Sequence, residues 1–81
     1  MNMEIAKQKL KQFIDSNFNE FSNLGKSEVT EISAEEFDTD VINYLKTCIE
    51  NRFDYEDICI YYVDRKIGKT TNEIWVENMN S

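Results

Sequence analysis

The sequence predicts an α+β domain, two helices packed on a small antiparallel sheet in the order α-β-α-β-β, with the first strand the least marked. Three observations predict it. Residues 4–21 repeat apolar side chains at steps of three and four. Residues 58–63 form an unbroken apolar run rich in β-branched and aromatic side chains, and residues 72–77, around Ile74-Trp75-Val76, form a second strand-like segment. Eighty-one residues, 41% of them apolar and 12% aromatic, suit one small acidic domain spanning 1–81 with a modest core.

Each element has its own signal. Ala6, Leu10, Phe13, Ile14, Phe18 and Phe21 make one stripe on the first helix, and Gly25 is its expected stop. Residues 27–32 favour an extended edge strand through Val29, Thr30 and Ile32, although Val29 and Ile32 would point to opposite faces. Ser33 and Glu36 fit a capping box, so the second helix starts at Ser33 or restarts at Asp38 or Thr39. Phe37, Val41, Leu45, Cys48, Ile49 and Arg52/Phe53 carry it to about residue 52. Residues 54–57 read as a polar connection.

Strands over 58–64 and 71–77 then form a hairpin turning at Ile67-Gly68. A two-residue loop there sets Tyr61 opposite Ile74, Cys59 opposite Val76 and Ile60 opposite Trp75. Tyr62 and Trp75 then share a face, and a slip of one residue would reassign the second strand. Residues 78–81 are expected to fray.

Charge is distributed unevenly. Residues 27–64 hold eleven acids against Lys46 and Arg52, a net of −9, while the segments on either side are each +1. An acidic surface repels phosphate backbones and attracts basic partners. Direct nucleic-acid binding is therefore not expected, despite Lys7, Lys9, Lys11 and Lys26.

The chemistry-bearing motifs are incomplete. Gly68-Lys69-Thr70-Thr71 ends like a phosphate-binding loop, but Val63 stands where the first glycine is required. Asp38-Thr39-Asp40 opens like a calcium loop, but no glycine follows at the sixth position. Cys48 and Cys59 are the only soft metal ligands, too few for a structural zinc site, and read as small buried hydrophobes with reduced thiols. Without histidine the usual general base is missing. No enzymatic activity, metal or cofactor is expected.

No apolar segment approaches a membrane span, and Met1-Asn2-Met3-Glu4 does not open a secretory signal. The absence of proline and the abundance of Asn and Ile fit a low-GC genome, a bacterium or its phage. The expected setting is the bacterial cytoplasm.

A small acidic inhibitor that meets a basic protein, with carboxylates where phosphates would lie, is the leading expectation. In size and charge the chain is similar to phage-encoded anti-restriction and anti-CRISPR inhibitors, which block nucleic-acid enzymes. The residues expected to meet the partner are Glu35, Glu36, Asp38, Asp40, Glu50, Asp54, Glu56 and Asp57, grouped along a helix or its end, with Tyr62 and Trp75 as aromatic anchors. Two alternatives are an immunity protein or antitoxin, and a regulatory domain forming a homodimer through its hairpin edge or aromatic face.

Overall fold

In the computed structural model, which describes residues 3–64, 68 and 71–80, the chain is an α+β fold with one helical layer on one antiparallel sheet. The expected first helix is present but broken. α1 spans Met3–Ser16 and α2 spans Phe18–Ser22. The break has a local cause at Asn17. Its side-chain amide donates to the Phe13 carbonyl at 2.8 Å, while its backbone N–H turns to the Ile14 carbonyl at 3.2 Å. A short polar side chain thus takes the place of a ladder hydrogen bond. Phe18 swings out to 39% exposure and Phe21 turns in to 1%.

The helix also stops before Gly25. It ends at Ser22, and Asn23 follows in right-handed geometry. Gly25 has no positive φ. Its N–H donates to the Glu28 carboxylate at 2.7 Å, and a Cβ there would lie 2.6 Å from that oxygen. Close approach, not left-handed backbone, is what the glycine serves.

β1 is Thr30–Ser33, shorter and later than the expected 27–32. Ser33 does cap, but it caps a 3-10 turn over Ala34–Glu36, accepting from the Glu35 N–H at 3.3 Å. Phe37 is extended and separates this turn from α3, Thr39–Thr47. The helix starts where Asp38 was expected to cap, yet the Asp38 side chain makes no cap hydrogen bond and pairs with Lys9 at 2.9 Å instead.

α3 ends five residues earlier than expected. Thr47 and Cys48 both turn their side chains back to the Tyr44 carbonyl, at 2.7 and 3.3 Å. A 3-10 turn over Ile49–Asn51 follows, with Glu50 and Asn51 at φ 59° and 55°. The chain then enters a strand absent from the sequence-based expectation, β2, Arg52–Tyr55. Ile49 and Phe53 therefore do not continue the helical stripe. Ile49 is 88% exposed, and Phe53 reaches the core from β2, packed edge-on against Tyr44.

β3 is Ile58–Val63 and β4 is Glu73–Asn78. The sheet order is β1-β4-β3-β2, every pair antiparallel. The Glu56-Asp57 turn joins β2 to β3, with φ 52° and 65°. Two consecutive positive φ values are those of a type I′ turn, the tight turn that matches strand twist.

The β3–β4 register differs by one residue from the expectation. Tyr61 lies opposite Trp75, Cys59 opposite Glu77 and Ile60 opposite Val76. The paired residues end at Val63 and Glu73, so the connection is residues 64–72 and not a two-residue loop. Of the expected turn, Ile67 lies outside the described residues, and Gly68 has φ 70°.

This register puts Ile58, Ile60, Tyr62, Ile74 and Val76 on one face, joined by Phe53, Tyr55 and Ile32 from the edges. Ala6, Leu10, Ile14, Phe21, Val41, Tyr44 and Leu45 pack against them. Each fully buried aliphatic side chain contributes about 1.5–3 kcal/mol through removal from water. The shortest dimension, 21 Å, is about one helix plus one sheet thick. Asn78, expected to fray, closes β4, and its amide donates to the Ser22 carbonyl at 2.9 Å.

Candidate functional site

Opposite the helices lies a sheet face on which, among the described residues, no helix packs. Pairing places Arg52, Tyr61, Trp75 and Glu31 side by side across its four strands. Asp54, Cys59 and Glu77 form the adjacent row, and Val63, Glu73 and Ser33 the row on the other side.

Trp75 sits near the middle. Its ring meets Tyr61 edge-on, with centroids 5.9 Å apart at 61°. Both aromatic donors point to carboxylates: Trp75 Nε1–H donates to Glu73 at 3.2 Å, and the Tyr61 hydroxyl donates to Glu77. Burial, reinforced by Glu77, pushes the Tyr61 hydroxyl pKa up, so the phenol stays protonated and donating.

The β2 side of this face is ordered by Arg52. Its guanidinium donates to Asp54 through Nε at 3.1 Å and Nη2 at 3.0 Å, and lies 3.8 Å from Glu50. Hydrogen bonding to Asp54 raises its pKa further. Glu50, Arg52, Cys59, Tyr61, Glu77 and Met79 line a concavity of about 270 Å³. Cys59 is its floor, 2% exposed, with a thiol pKa pushed up to about 12 by burial first and by the Asp54 carboxylate second. Among the described residues, Glu31, Glu50, Asp54, Glu73 and Glu77 thus surround the Arg52 guanidinium and an aromatic pair.

The aromatic anchors need correcting. Tyr62 and Trp75 lie on opposite faces. Tyr62 is 8% exposed under the helical layer, where it accepts from the Asn72 amide and Lys46 lies 5.1 Å from its ring centre. Tyr61 takes the place expected for Tyr62, because a one-residue change of register exchanges faces.

The eight acids do not form one group. Glu35 and Glu36 lie on the 3-10 turn after β1, at the sheet end where Val63 pairs with Glu73. Glu56 and Asp57 form the turn after β2, at the other end and on the other edge. Asp54, Glu56 and Asp57 were expected to follow a helix; they lie on a strand and its turn instead. Asp38 and Asp40 both pair with Lys9, at 2.9 and 3.0 Å, joining the start of α3 to α1. That hydrogen bond holds the Asp40 carboxyl below its usual range. Glu50 and Asp54 flank Arg52 and reach the open face.

Glu31, Tyr61, Glu73 and Glu77 were not singled out from the sequence. Their signal was the alternation in Glu73-Ile74-Trp75-Val76-Glu77, which separates two apolar side chains from three outward ones. The all-apolar β3 run gave no such alternation, and so could not fix the pairing.

Among the described residues no helix is long and apolar enough to cross a membrane. No family model matches the chain, and neither the curated proteins nor the solved structures gave a match.

Proposed function

We propose that this chain is a protein-binding inhibitor that docks its open sheet face on the basic groove of a nucleic-acid-binding enzyme. The observation that carries the reading is the composition of that face among the described residues: five carboxylates, one guanidinium and an aromatic pair, opposite a helical layer that already encloses the core. Aromatic side chains at the centre of a charged rim are the usual anatomy of a protein interface. A chain net charge of −7 extends the attraction beyond contact range. Charge complementarity of this kind chiefly accelerates association, and added salt slows it. The complementary occupant is a groove that otherwise holds phosphates.

The test compares three tagged proteins in capture from a bacterial lysate, followed by binding kinetics with the purified partner. They are the parent, a face variant with Glu73→Lys and Glu77→Lys, and a control with Glu35→Lys and Glu36→Lys. The reading requires a nucleic-acid-binding partner that the face variant loses and the control retains. It also requires that duplex DNA or RNA compete with the parent for that partner. A partner retained by the face variant, or one indifferent to nucleic acid, would overturn it.

A further inference from the structure

We infer that β2 is a releasable strap. It leaves the edge of β3 while the helical layer and the other three strands stay folded, and its release uncovers the Cys59 thiol.

The backbone on both sides of β2 carries the inference. Glu50 and Asn51, just before it, hold φ 59° and 55°, and Glu56 and Asp57, just after it, hold 52° and 65°. Left-handed backbone is unfavourable for a residue with a Cβ. Among the described residues, four of the five non-glycine positions with positive φ thus bracket one four-residue strand. Such strain persists only where surrounding contacts impose it, and it gathers at segments that switch. The Met79 N–H holds the Asp57 carbonyl at 2.8 Å, which anchors the β3 end of the turn and sets that hinge at Glu56.

The contacts of β2 are those of a detachable element. It pairs on one side only, through four residues, whereas β3 keeps six pairs with β4. None of its residues is fully buried. The Arg52 guanidinium pairs with Asp54 at 3.0 Å and lies 3.8 Å from Glu50, so these ion pairs close within the segment and travel with it. Release breaks the β2–β3 ladder, the edge-on contact of Phe53 with Tyr44 at 6.2 Å, and the approach of Lys11 to the Tyr55 ring at 5.7 Å. β1, the other edge strand, lacks strain at both ends. Only Ser27 before it has positive φ, and beyond it the Ala34 N–H donates to the Asn72 carbonyl at 2.9 Å.

Cys59 is 2% exposed, and Glu50 and Arg52 form one side of the concavity above it. Both leave with the strap. Arg52 and Asp54 also leave the open sheet face, so that face is complete only when β2 is closed.

The experiment uses the whole chain with Cys48→Ser, which leaves Cys59 as the sole thiol and keeps a donor toward the Tyr44 carbonyl. Labelling of Cys59 by 4,4′-dithiodipyridine is followed in increasing urea, with amide hydrogen exchange of residues 52–55 and 73–78 in parallel. Surface exposed on opening sets the urea dependence. The expected result is labelling about tenfold or more faster than global unfolding allows, with a urea slope below about a third of the global one. Residues 52–55 should exchange through the same shallow opening, while residues 73–78 exchange only on global unfolding. Glu56→Asn with Asp57→Gly, which suits the left-handed turn, should slow both labelling and exchange of 52–55 about fivefold.

Labelling and exchange of 52–55 that follow the steep global slope would overturn the strap. Fast labelling with 52–55 still protected would also overturn it, because side-chain motion alone then uncovers the thiol. Unchanged rates in the turn variant would remove backbone strain as its cause and overturn the inference as stated.

Discussion

Cys59 shows how a single side chain is set by its neighbours across strands. It faces away from the helices, yet Arg52, Tyr61, Glu77 and Met79 enclose it. Its thiol pKa is raised from 9.0 to about 12, which means that the folded state favours the neutral form. Stability from this group is intact below pH 9 and is lost as pH rises toward 12, because the unfolded chain releases the proton first. Between pH 9 and 10 this group should remove about 1 kcal/mol, and Tyr44 and Tyr61, whose pKa values burial also raises, add to the same slope. Cys59→Ala should flatten that slope in thermal melts, whatever its effect at pH 7. An unchanged slope would remove Cys59 from the alkaline limb. Leu45 and Ile49 make a second contrast, since both fell on one helical stripe in the sequence. Leu45→Ala should cost about 2–5 kcal/mol in denaturant unfolding. Ile49→Ala, at an 88% exposed position, should stay within about 0.5 kcal/mol.

The turns decide which elements form. Glu56 and Asp57 both hold left-handed backbone, a conformation that costs a non-glycine residue roughly 1–2 kcal/mol. The chain accepts that cost because β2 then covers the edge of β3 and pairs its backbone groups. Replacing the turn with Asn-Gly, by Glu56→Asn and Asp57→Gly, should raise stability by roughly 1 kcal/mol, read as a higher denaturant midpoint at unchanged slope. A lower midpoint would show that the Glu56 or Asp57 side chain does more for the fold than the backbone strain suggests. The same turn places Glu56 and Asp57 after a strand, and Asp54 within it, rather than after the helix the sequence suggested.

Across the whole molecule, acids guard both edges of the sheet. β1 is flanked by Glu28, Glu35 and Glu36 and contains Glu31. β2 is flanked by Glu50, Glu56 and Asp57 and contains Asp54. Charged edge strands oppose pairing with a second copy, since like charges face each other across the new ladder. We expect a monomer near 10 kDa by light scattering at low salt. A concentration-dependent dimer would instead favour the regulatory alternative, with its edge or face used for self-association.

The sequence by itself determined the α+β class, the apolar stripes of α1 and α3, the two core strands and the location of charge along the chain. Those are local properties: spacing of apolar residues, capping residues and β-branched runs act within a few residues. The order was largely legible for the same reason. Only the tertiary structure decided the register of β3 on β4, the existence of β2 and the face that stays open. The apolar run of β3 permits pairing in either parity, and the choice falls to burial of Ile74 and Val76 with Ile60 and Tyr62 under the helices. Residues 52–55 alternate polar and aromatic side chains, but over only four residues, so β2 forms because a strand edge is there to pair with. The eight acids were legible one by one, but their separation to opposite corners of the sheet, and the grouping of Glu31, Glu73 and Glu77 around Trp75, follow from strand order, which no local signal encodes.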